Sequence, residues 1–109
     1  MLTVVDGDTL LYAGERLRLF DIDAPETHQP RCSAERKAGE RSTAALRELI
    51  AGQQVEIHYS GRFDRYGRPL VRISTPAGDV GASLVKRGLA LPYDGGRVAH
   101  DRRAAHWCG

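Results

Sequence analysis

Two acidic segments near the N-terminus carry the residue types that are best suited to chemistry. Asp8 lies in an Asp-Gly-Asp segment, and Asp21, Asp23 and Glu26 lie in a second segment that ends a predicted strand. Carboxylates at a strand end, together with the backbone carbonyl of Ala24, form the all-oxygen environment that a hard cation such as Ca²⁺ prefers. The acids therefore predict a cation site, and a solvated acidic loop is the alternative.

A pair of hairpins can bring the two acidic segments together. Leu2–Val5 and Thr9–Ala13 are predicted strands, joined by a turn in which Gly7 accepts a positive φ without steric cost. A second hairpin follows, so the strand ends that carry Asp8 and Asp23 can meet. Turn chemistry alone, in which an aspartate hydrogen-bonds its own backbone, also explains the first segment.

The spacing between Arg18 and Asp23 places a demand on the fold. In an ideal strand the two side chains would point to opposite faces, about 16 Å apart. Pro25 fixes its own φ and removes a hydrogen-bond donor, so the strand should end there. Arg18 and Asp23 can serve one ligand only if the strand coils strongly or the turn before Pro25 redirects the acid.

A predicted loop between two later strands combines cationic and aromatic side chains. Its members are Arg62, Phe63, Arg65, Tyr66 and Arg68, with a turn over 64–67. Arginine presents a planar fork to phosphate oxygens, and aromatic rings stack on bases. The loop therefore indicates nucleic-acid binding, and an arginine-rich hairpin tip that serves solubility alone is the alternative.

The remaining elements follow from periodicity and capping residues. Ser33 is the predicted N-cap of a helix over 34–50, which ends before Gly52 and keeps its charged residues outward. Its apolar side should pack on the sheet and consists of Ala38, Ala45, Leu46 and Leu49. Its solvated face includes three basic residues, Lys37, Arg41 and Arg47. Strands are predicted over 53–59, with His58 at the surface, and over 68–75. Asp79 should cap a short helix to Arg87, and a last helical piece is predicted over 98–107.

The order of these elements predicts the fold class. Five short strands occur, with one helix between the third and fourth and another after the fifth. Closing a small sheet into a barrel removes its exposed edges. We therefore predict an α+β, mainly β fold, a five-stranded OB-fold Greek-key barrel with two or three flanking helices, as a single domain over residues 1–109.

The composition excludes some classes of protein. The chain has 16 Lys and Arg residues against 14 Asp and Glu residues, a net charge of +2. This balance is unlike the clustered basic surface of a protein that coats nucleic acid passively. No run approaches the roughly 18 apolar residues of a membrane span, and no signal peptide is visible before the first strand, although a mature form that starts at the domain edge would look the same. We expect no membrane partner.

The two cysteines, Cys32 and Cys108, lie far apart in the sequence. They can pair in an oxidising compartment or remain separate thiols, and we favour pairing because both lie beside turn-like segments. Pairing would favour a secreted or periplasmic protein, and otherwise the compartment stays open. No second ligand pair accompanies His106 and Cys108, so we expect no zinc site.

Four segments, in this order and spacing, resemble the staphylococcal nuclease (thermonuclease) family. They are VVDGDTL at 4–10, RLFDIDAPET at 18–27, DRYGRPL at 64–70 and LVKRGLA at 84–90. Each segment alone is a weak signal, but the set is highly specific. The resemblance implies an OB-fold, Ca²⁺-dependent nuclease that hydrolyses phosphodiester bonds of DNA and RNA, and we expect a monomer.

The resemblance also implies roles for individual residues. The implied metal ligands are Asp8, Asp23 and the backbone carbonyl of Ala24, and the implied catalytic residues are Arg18, Glu26 and Arg68. The expected substrate contacts are Tyr66, its neighbour Arg65, and Tyr93. The family often has threonine at the position of Ala24, which should matter little because the ligand is a main-chain oxygen.

The C-terminal segment after Leu89 is shorter than the family's, which bears on Tyr93 and on stability. A Cys32–Cys108 link would compensate by holding this tail to the loop after Thr27. The alternatives to an enzyme are a catalytically weak OB-fold nucleic-acid-binding module and a calcium-binding structural domain. A pure binder gains nothing from three carboxylates beside a polyanion, and a structural domain leaves the arginines without a role, so the sequence favours the enzyme.

Overall fold

A computed structural model describes residues 2–93, 102 and 105–109 of the chain. Within this part, the first strands are β1 (Leu2–Asp6), β2 (Thr9–Tyr12), β3 (Glu15–Leu19) and β4 (Ile22–Asp23), followed by helix α1 (Ser33–Ile50). The second half contains β5 (Glu56–Phe63), β6 (Pro69–Thr75), β7 (Gly78–Asp79), helix α2 (Val80–Lys86) and β8 (Leu91–Pro92). Residues 105–108 are also helical. The predicted α+β, mainly β class is confirmed.

The five longest strands correspond to the five predicted ones and form one sheet in the order β1-β2-β3-β6-β5. Strands β3 and β6 run parallel, and the other neighbours in this order are antiparallel. The short β7 extends β6, and β4 pairs with β8 in a separate ribbon. The prediction of five strands omitted these three two-residue strands. Among the described residues no pairing joins β1 to β5, so a closed barrel is not observed.

The central strands alternate between the core and the opposite side of the sheet, which we call the outer face. Four side chains of β3 and β6 are almost completely buried among the core: Leu17, Leu19, Val71 and Ile73. Because successive side chains in a strand point to opposite sides, the residues between and beside them lie on the outer face. These are Arg18, Phe20, Leu70 and Arg72.

Helix α1 packs its predicted apolar side on the core, with Ala38, Ala45 and Leu46 buried and Leu49 partly buried. The predicted N-cap is wrong by one residue, because Cys32 caps the helix and its Sγ accepts a hydrogen bond from the Glu35 nitrogen at 3.3 Å. The expectation that all charged side chains of α1 face outward is also wrong. Glu35 is fully buried, whereas the three basic residues of the solvated face are exposed as predicted: Lys37, Arg41 and Arg47.

Gly7 corrects a prediction about the β1–β2 turn. Its φ is not positive, so conformational freedom is not the reason for glycine here. An added Cβ would lie 2.2 Å from the Ser42 Oγ and 2.7 Å from the Ala24 Cβ. Glycine therefore allows the turn to approach both α1 and the segment after β4. Positive φ occurs instead in the next turn, at Ala13 (52°) and Gly14 (80°), which is the geometry of a type I′ hairpin.

Several local predictions hold. Asp79 caps α2 by accepting a hydrogen bond from the Ala82 nitrogen at 2.8 Å, and Gly52 follows α1 with a φ of 67°. The Gly67 nitrogen donates to the Asp64 carbonyl at 3.0 Å, which confirms the turn over 64–67. The strand predicted over 53–59 in fact begins at Glu56 and continues into the arginine-rich loop, to Phe63.

The C-terminal tail is joined to the start of α1 by a disulfide bond between Cys32 and Cys108. The predicted pairing is therefore present, and bonds of this kind are typical of oxidising compartments. Part of the predicted last helix, 98–101 with 103 and 104, lies outside the described residues. No helix in the described part of the chain is long and apolar enough to cross a membrane.

Candidate functional site

The two acidic segments meet as predicted, around one guanidinium group. The carboxylates of Asp8 and Asp23 are both buried. The Arg18 Nη1 lies 3.2 Å from the Asp8 Oδ2, and its Nη2 lies 3.8 Å from the Asp23 Oδ1. Arg18, Asp8 and Asp23 therefore form one charged cluster at the end of β3.

A bend directly after β3 resolves the spacing problem between Arg18 and Asp23. Strand β3 ends at Leu19, and the chain changes direction at residues 20–21 before β4 begins. The Arg18 Nη1 spans this bend by donating to the carbonyls of Leu19 at 2.6 Å and Ile22 at 3.1 Å. The redirection thus occurs earlier than the turn before Pro25.

Asp8 also fixes the backbone that follows β4. Its Oδ2 accepts a hydrogen bond from the Ala24 nitrogen at 3.0 Å, and its Oδ1 accepts one from the Thr9 Oγ1 at 3.2 Å. Asp6 adds a third carboxylate, whose Oδ1 accepts from the Asp8 nitrogen at 3.2 Å. Burial, reinforced by the charge of Asp8, raises the pKa of Asp6 to about 7.

The donor chemistry of this cluster fits a hard cation. Burial is the main cause of the raised pKa of Asp6 and the charge of Asp8 adds to it, so a bound cation would stabilise the ionised carboxylates here. Within the described residues no group of three or more His, Cys, Asp or Glu side chains is placed to hold a metal ion. The predicted ligand set would use fewer side chains, the two carboxylates of Asp8 and Asp23 with the main-chain carbonyl of Ala24, and it stays a prediction.

Arg68 reaches the same cluster from the β5–β6 turn. Its Nε lies 2.6 Å from the Asp64 Oδ2, and its Nη1 donates to the Thr9 Oγ1 at 3.2 Å. Thr9 in turn contacts Asp8, so Arg68 is one residue removed from the acids. Burial alone would raise the pKa of Asp64, but the hydrogen bonds from Arg68 and Tyr66 outweigh it and hold the pKa below its ordinary value. Asp64 was predicted only as a turn residue.

Glu35 is a supporting residue that the sequence did not reveal. Its Oε2 accepts a hydrogen bond from the Glu26 nitrogen at 3.3 Å, and its Oε1 accepts one from the Arg31 nitrogen at 2.8 Å. The Arg31 Nη2 completes the arrangement 3.1 Å from the Glu35 Oε2. Burial would raise the pKa of Glu35, but the hydrogen bonds from Arg31 and Glu26 hold it below its ordinary value. The only hint in the sequence is a glutamate in the first helical turn, where such residues often fold back.

Helix α1 packs very closely against the loop that carries Glu26, and the closest approach is at Gly39. A Cβ added to Gly39 would lie 2.7 Å from the Thr27 Cγ2, 2.9 Å from the Pro25 oxygen and 3.0 Å from the Glu26 oxygen. Any side chain at this position would displace the loop. Gly39 was predicted only as part of the helix.

The three predicted substrate-contacting side chains surround the two arginines. The Tyr66 ring is 70% exposed; the Arg68 guanidinium carbon lies 5.7 Å from its centroid, and that of Arg65 lies 5.0 Å away. Tyr93 lies on the other side, with its ring centroid 5.5 Å from the Arg18 guanidinium carbon and its nitrogen donating to the Asp21 carbonyl at 3.1 Å. The structure thus places Tyr66, Arg65 and Tyr93 beside Arg18 and Arg68, and the roles of all the predicted site residues stay predictions.

Comparison with known proteins identifies one protein family that matches most of this chain. The family profile described as Staphylococcal nuclease homologue matches residues 16–106. The chain is similar to the succinoglycan biosynthesis protein ExoI of Rhizobium meliloti strain 1021, with 39% identity over 98 residues, covering 84% of this chain and 50% of that protein.

Several of the relatives are named as nucleases. Endonuclease YncB of Bacillus subtilis strain 168 is 32% identical over 92 residues, covering 79% of this chain and 43% of that protein. The thermonuclease of Staphylococcus intermedius is 30% identical over 92 residues, covering 80% of this chain and 54% of that protein. The chain spans about half the length of these curated relatives.

Proposed function

This chain belongs to the staphylococcal nuclease family, and we propose that it is a Ca²⁺-dependent nuclease that hydrolyses phosphodiester bonds of DNA, RNA or both. The family implies an OB-type barrel for the sheet. The names of two relatives, an endonuclease and a thermonuclease, support the activity. We expect residues 1–109 to act as one nuclease domain and as a monomer.

One observation carries the proposal: buried acids and arginines lie together. Arg18 contacts both Asp8 and Asp23, and Arg68 is linked to Asp8 through Thr9. A protein that only binds a polyanion gains nothing from buried carboxylates beside its arginines, because like charges repel. A hydrolase needs both, since the acids hold a cation or a water molecule and the arginines hold the phosphate.

In this proposal Asp8, Asp23 and the carbonyl of Ala24 hold Ca²⁺. When bound, the ion would supply Lewis-acid polarisation of a phosphate oxygen and would help to orient the substrate. The oxygen-only donor set, which consists of two buried carboxylates and a main-chain carbonyl, supports this assignment.

The chain's own residues would do the rest. Glu26 orients the attacking water and accepts its proton, and Glu35 holds the Glu26 backbone in place. Arg18 and Arg68 each present a fork of N–H donors to the phosphate and offset the negative charge that grows in the transition state. Tyr66, Arg65 and Tyr93 would contact the nucleotides on either side, as exposed rings beside guanidinium groups can do.

The disulfide between Cys32 and Cys108 supports a secreted or periplasmic location, because such bonds persist in oxidising compartments. In the same proposal the bond holds the segment around Cys108 against the start of α1, close to the residues that support Glu26.

Incubation with single-stranded DNA, double-stranded DNA and RNA tests the proposal, each with Ca²⁺ and then with excess chelator. We expect cleavage of at least one substrate with Ca²⁺ and none with chelator. Glu26→Ala should lower turnover by about 100-fold or more, the scale of losing one preorganised group. Binding without cleavage under all conditions would instead identify a nucleic-acid-binding module and overturn the nuclease proposal.

A further inference from the structure

A second cationic group lies outside the candidate site. The guanidinium carbons of Arg72 and Arg62 lie 4.9 Å and 5.7 Å from the centroid of the Phe20 ring. These distances are within the range of a cation–π interaction, so one ring contacts two positively charged groups. We call Phe20, Arg62 and Arg72 the Phe20 cluster.

The Phe20 cluster lies on the same outer face as Arg18. Phe20 is two residues beyond Arg18 along the chain, and its nitrogen donates to the Val71 carbonyl at 3.2 Å. Arg18 pairs with Leu70 across the parallel β3 and β6, so Arg72 is likewise two residues beyond the partner of Arg18. Two residues along a strand span about 7 Å. The cluster therefore adjoins the charged site along the sheet.

The charges of the Phe20 cluster are weakly compensated. The Arg72 Nε lies 3.9 Å from the Asp21 Oδ2, and this is the sole acidic contact of the cluster within the described part of the chain. The Arg62 guanidinium makes no ion pair with any described residue, and its side chain is exposed. The ring contact neutralises neither guanidinium group, and both groups carry further N–H donors that a phosphate oxygen could accept from.

We propose that the Phe20 cluster is a second phosphate-binding subsite, which takes a neighbouring backbone phosphate of the polynucleotide whose scissile phosphate lies at Arg18 and Arg68. This inference rests on the proposed nuclease function and adds to it. The protein would favour strands that reach from the site to Phe20 over fragments with a single phosphodiester bond. A role confined to covering the Phe20 ring is the competing explanation.

The test compares the wild type with the double variant Arg62→Ala/Arg72→Ala. KM and kcat are measured with Ca²⁺ for a two-nucleotide and a ten-nucleotide single strand. We expect KM for the longer strand to rise about 10-fold, with kcat and all values for the shorter strand unchanged. The slope of log KM against log salt should also fall by about 0.7, the value for one phosphate of a single strand.

The matched control is Arg41→Ala/Arg47→Ala, which removes the same charge from the exposed face of α1. An unchanged KM for the longer strand in the cluster variant, or the same rise in the control, would overturn the subsite. Equal losses for both strand lengths would also contradict it. If the melting temperature shows that the double variant is unfolded, Arg62→Gln at an exposed position replaces it, with an expected threefold rise.

The subsite and the nuclease activity can fail separately. A wild-type protein that cleaves neither strand contradicts the nuclease function, whatever the cluster does. Binding of the ten-nucleotide strand by fluorescence anisotropy then tests the subsite alone, and equal affinity of the wild type and the double variant would overturn it.

Discussion

Two pairs of arginines in this protein are held in different ways. Arg18 and Arg68 are fixed by carboxylates, with nitrogen-to-oxygen distances of 3.2 Å to Asp8 and 2.6 Å to Asp64. Arg62 and Arg72 are fixed mainly by the ring of Phe20. The first pair loses part of its net charge to its supports, whereas the only acidic contact of the second pair among the described residues is the longer one, 3.9 Å, from the Arg72 Nε to the Asp21 Oδ2.

The difference in support indicates a different role for each pair of arginines. Carboxylate supports fix the guanidinium plane rigidly, and rigid donors are worth most where charge develops during a reaction. A ring contact does not neutralise the positive charge as a carboxylate does, which favours attraction of a polyanion and a strong dependence on salt. Changes to the first pair should therefore lower turnover, and changes to the second pair should weaken binding.

The largest effect is expected at Arg68. Arg68→Ala should lower kcat about 100-fold or more, since one preorganised group is lost from the transition state. Arg68→Lys should recover little, because a point charge cannot replace the fork that contacts Asp64 and Thr9 together. Steady-state kinetics measures both variants, with Arg41→Ala as the control. Near-normal kcat in Arg68→Lys would mean that charge alone matters at this position.

Glu35 is a third kind of support. Its carboxylate holds the backbone of the loop that carries Glu26, whereas Asp8 and Asp64 hold arginine side chains. Glu35→Gln should lower the free energy of unfolding by about 2 kcal/mol, because charged hydrogen bonds to Arg31 and Glu26 are lost from a buried site. Glu40→Gln, on the exposed face of the same helix, is the control. Denaturant unfolding measures both, and equal losses would contradict the support role.

The pKa of Glu35 also predicts a pH dependence. Its folded-state pKa is held below the ordinary value of 4.5, so its contribution to stability is complete above that value and is lost as the pH falls through the folded-state pKa. Wild-type stability should therefore drop below about pH 4.5 more steeply than that of Glu35→Gln. Parallel pH profiles for the two proteins would show that Glu35 is not the group responsible.

A smaller effect is expected when the support of Arg68 is weakened and the arginine itself remains. Asp64→Asn should lower kcat about 10-fold, because an amide holds the guanidinium less strongly than a carboxylate. KM should change little if Arg68 still reaches the substrate. Kinetics of Asp64→Asn and of Glu40→Gln, on the exposed face of α1, separate this effect from general charge loss. A large rise in KM with constant kcat would place Asp64 in substrate binding instead.

The smallest expected effect lies in the β2–β3 hairpin, away from both arginine pairs. Ala13 has a φ of 52°, which a side chain disfavours and glycine does not. Ala13→Gly should raise the free energy of unfolding by about 0.5–1 kcal/mol and leave kcat unchanged. Thermal unfolding measures the change in stability, and an activity assay measures kcat. A change in kcat would show that the hairpin is coupled to the site.

The sequence revealed the members of the site better than their supports. Asp8, Asp23 and Arg18 are visible because their types and spacing are unusual and lie at strand ends. Asp64, Glu35 and Gly39 have ordinary explanations within their own turn or helix, and their contacts depend on how α1 and the β5–β6 turn pack. No local pattern carries that information.

The elements of the fold also divide into those that local sequence predicts and those that it does not. Alternation and capping gave the five long strands and both helices, because these depend on neighbouring residues. The bend at residues 20–21 and the β4–β8 ribbon depend on contacts between distant segments, and so does the close approach at Gly7. The disulfide was predictable only as one of two alternatives, since spacing alone does not pair cysteines.

The most direct test of the account is a double-mutant cycle on Arg18 and Arg68. Single-turnover cleavage of a short oligonucleotide with Ca²⁺ is measured for Arg18→Ala, Arg68→Ala and the double variant. If both guanidinium groups act on the same phosphate, each single variant should lose about 100-fold and the double variant far less than the product of the two losses. Fully multiplicative losses, or normal cleavage in either single variant, would contradict a shared site.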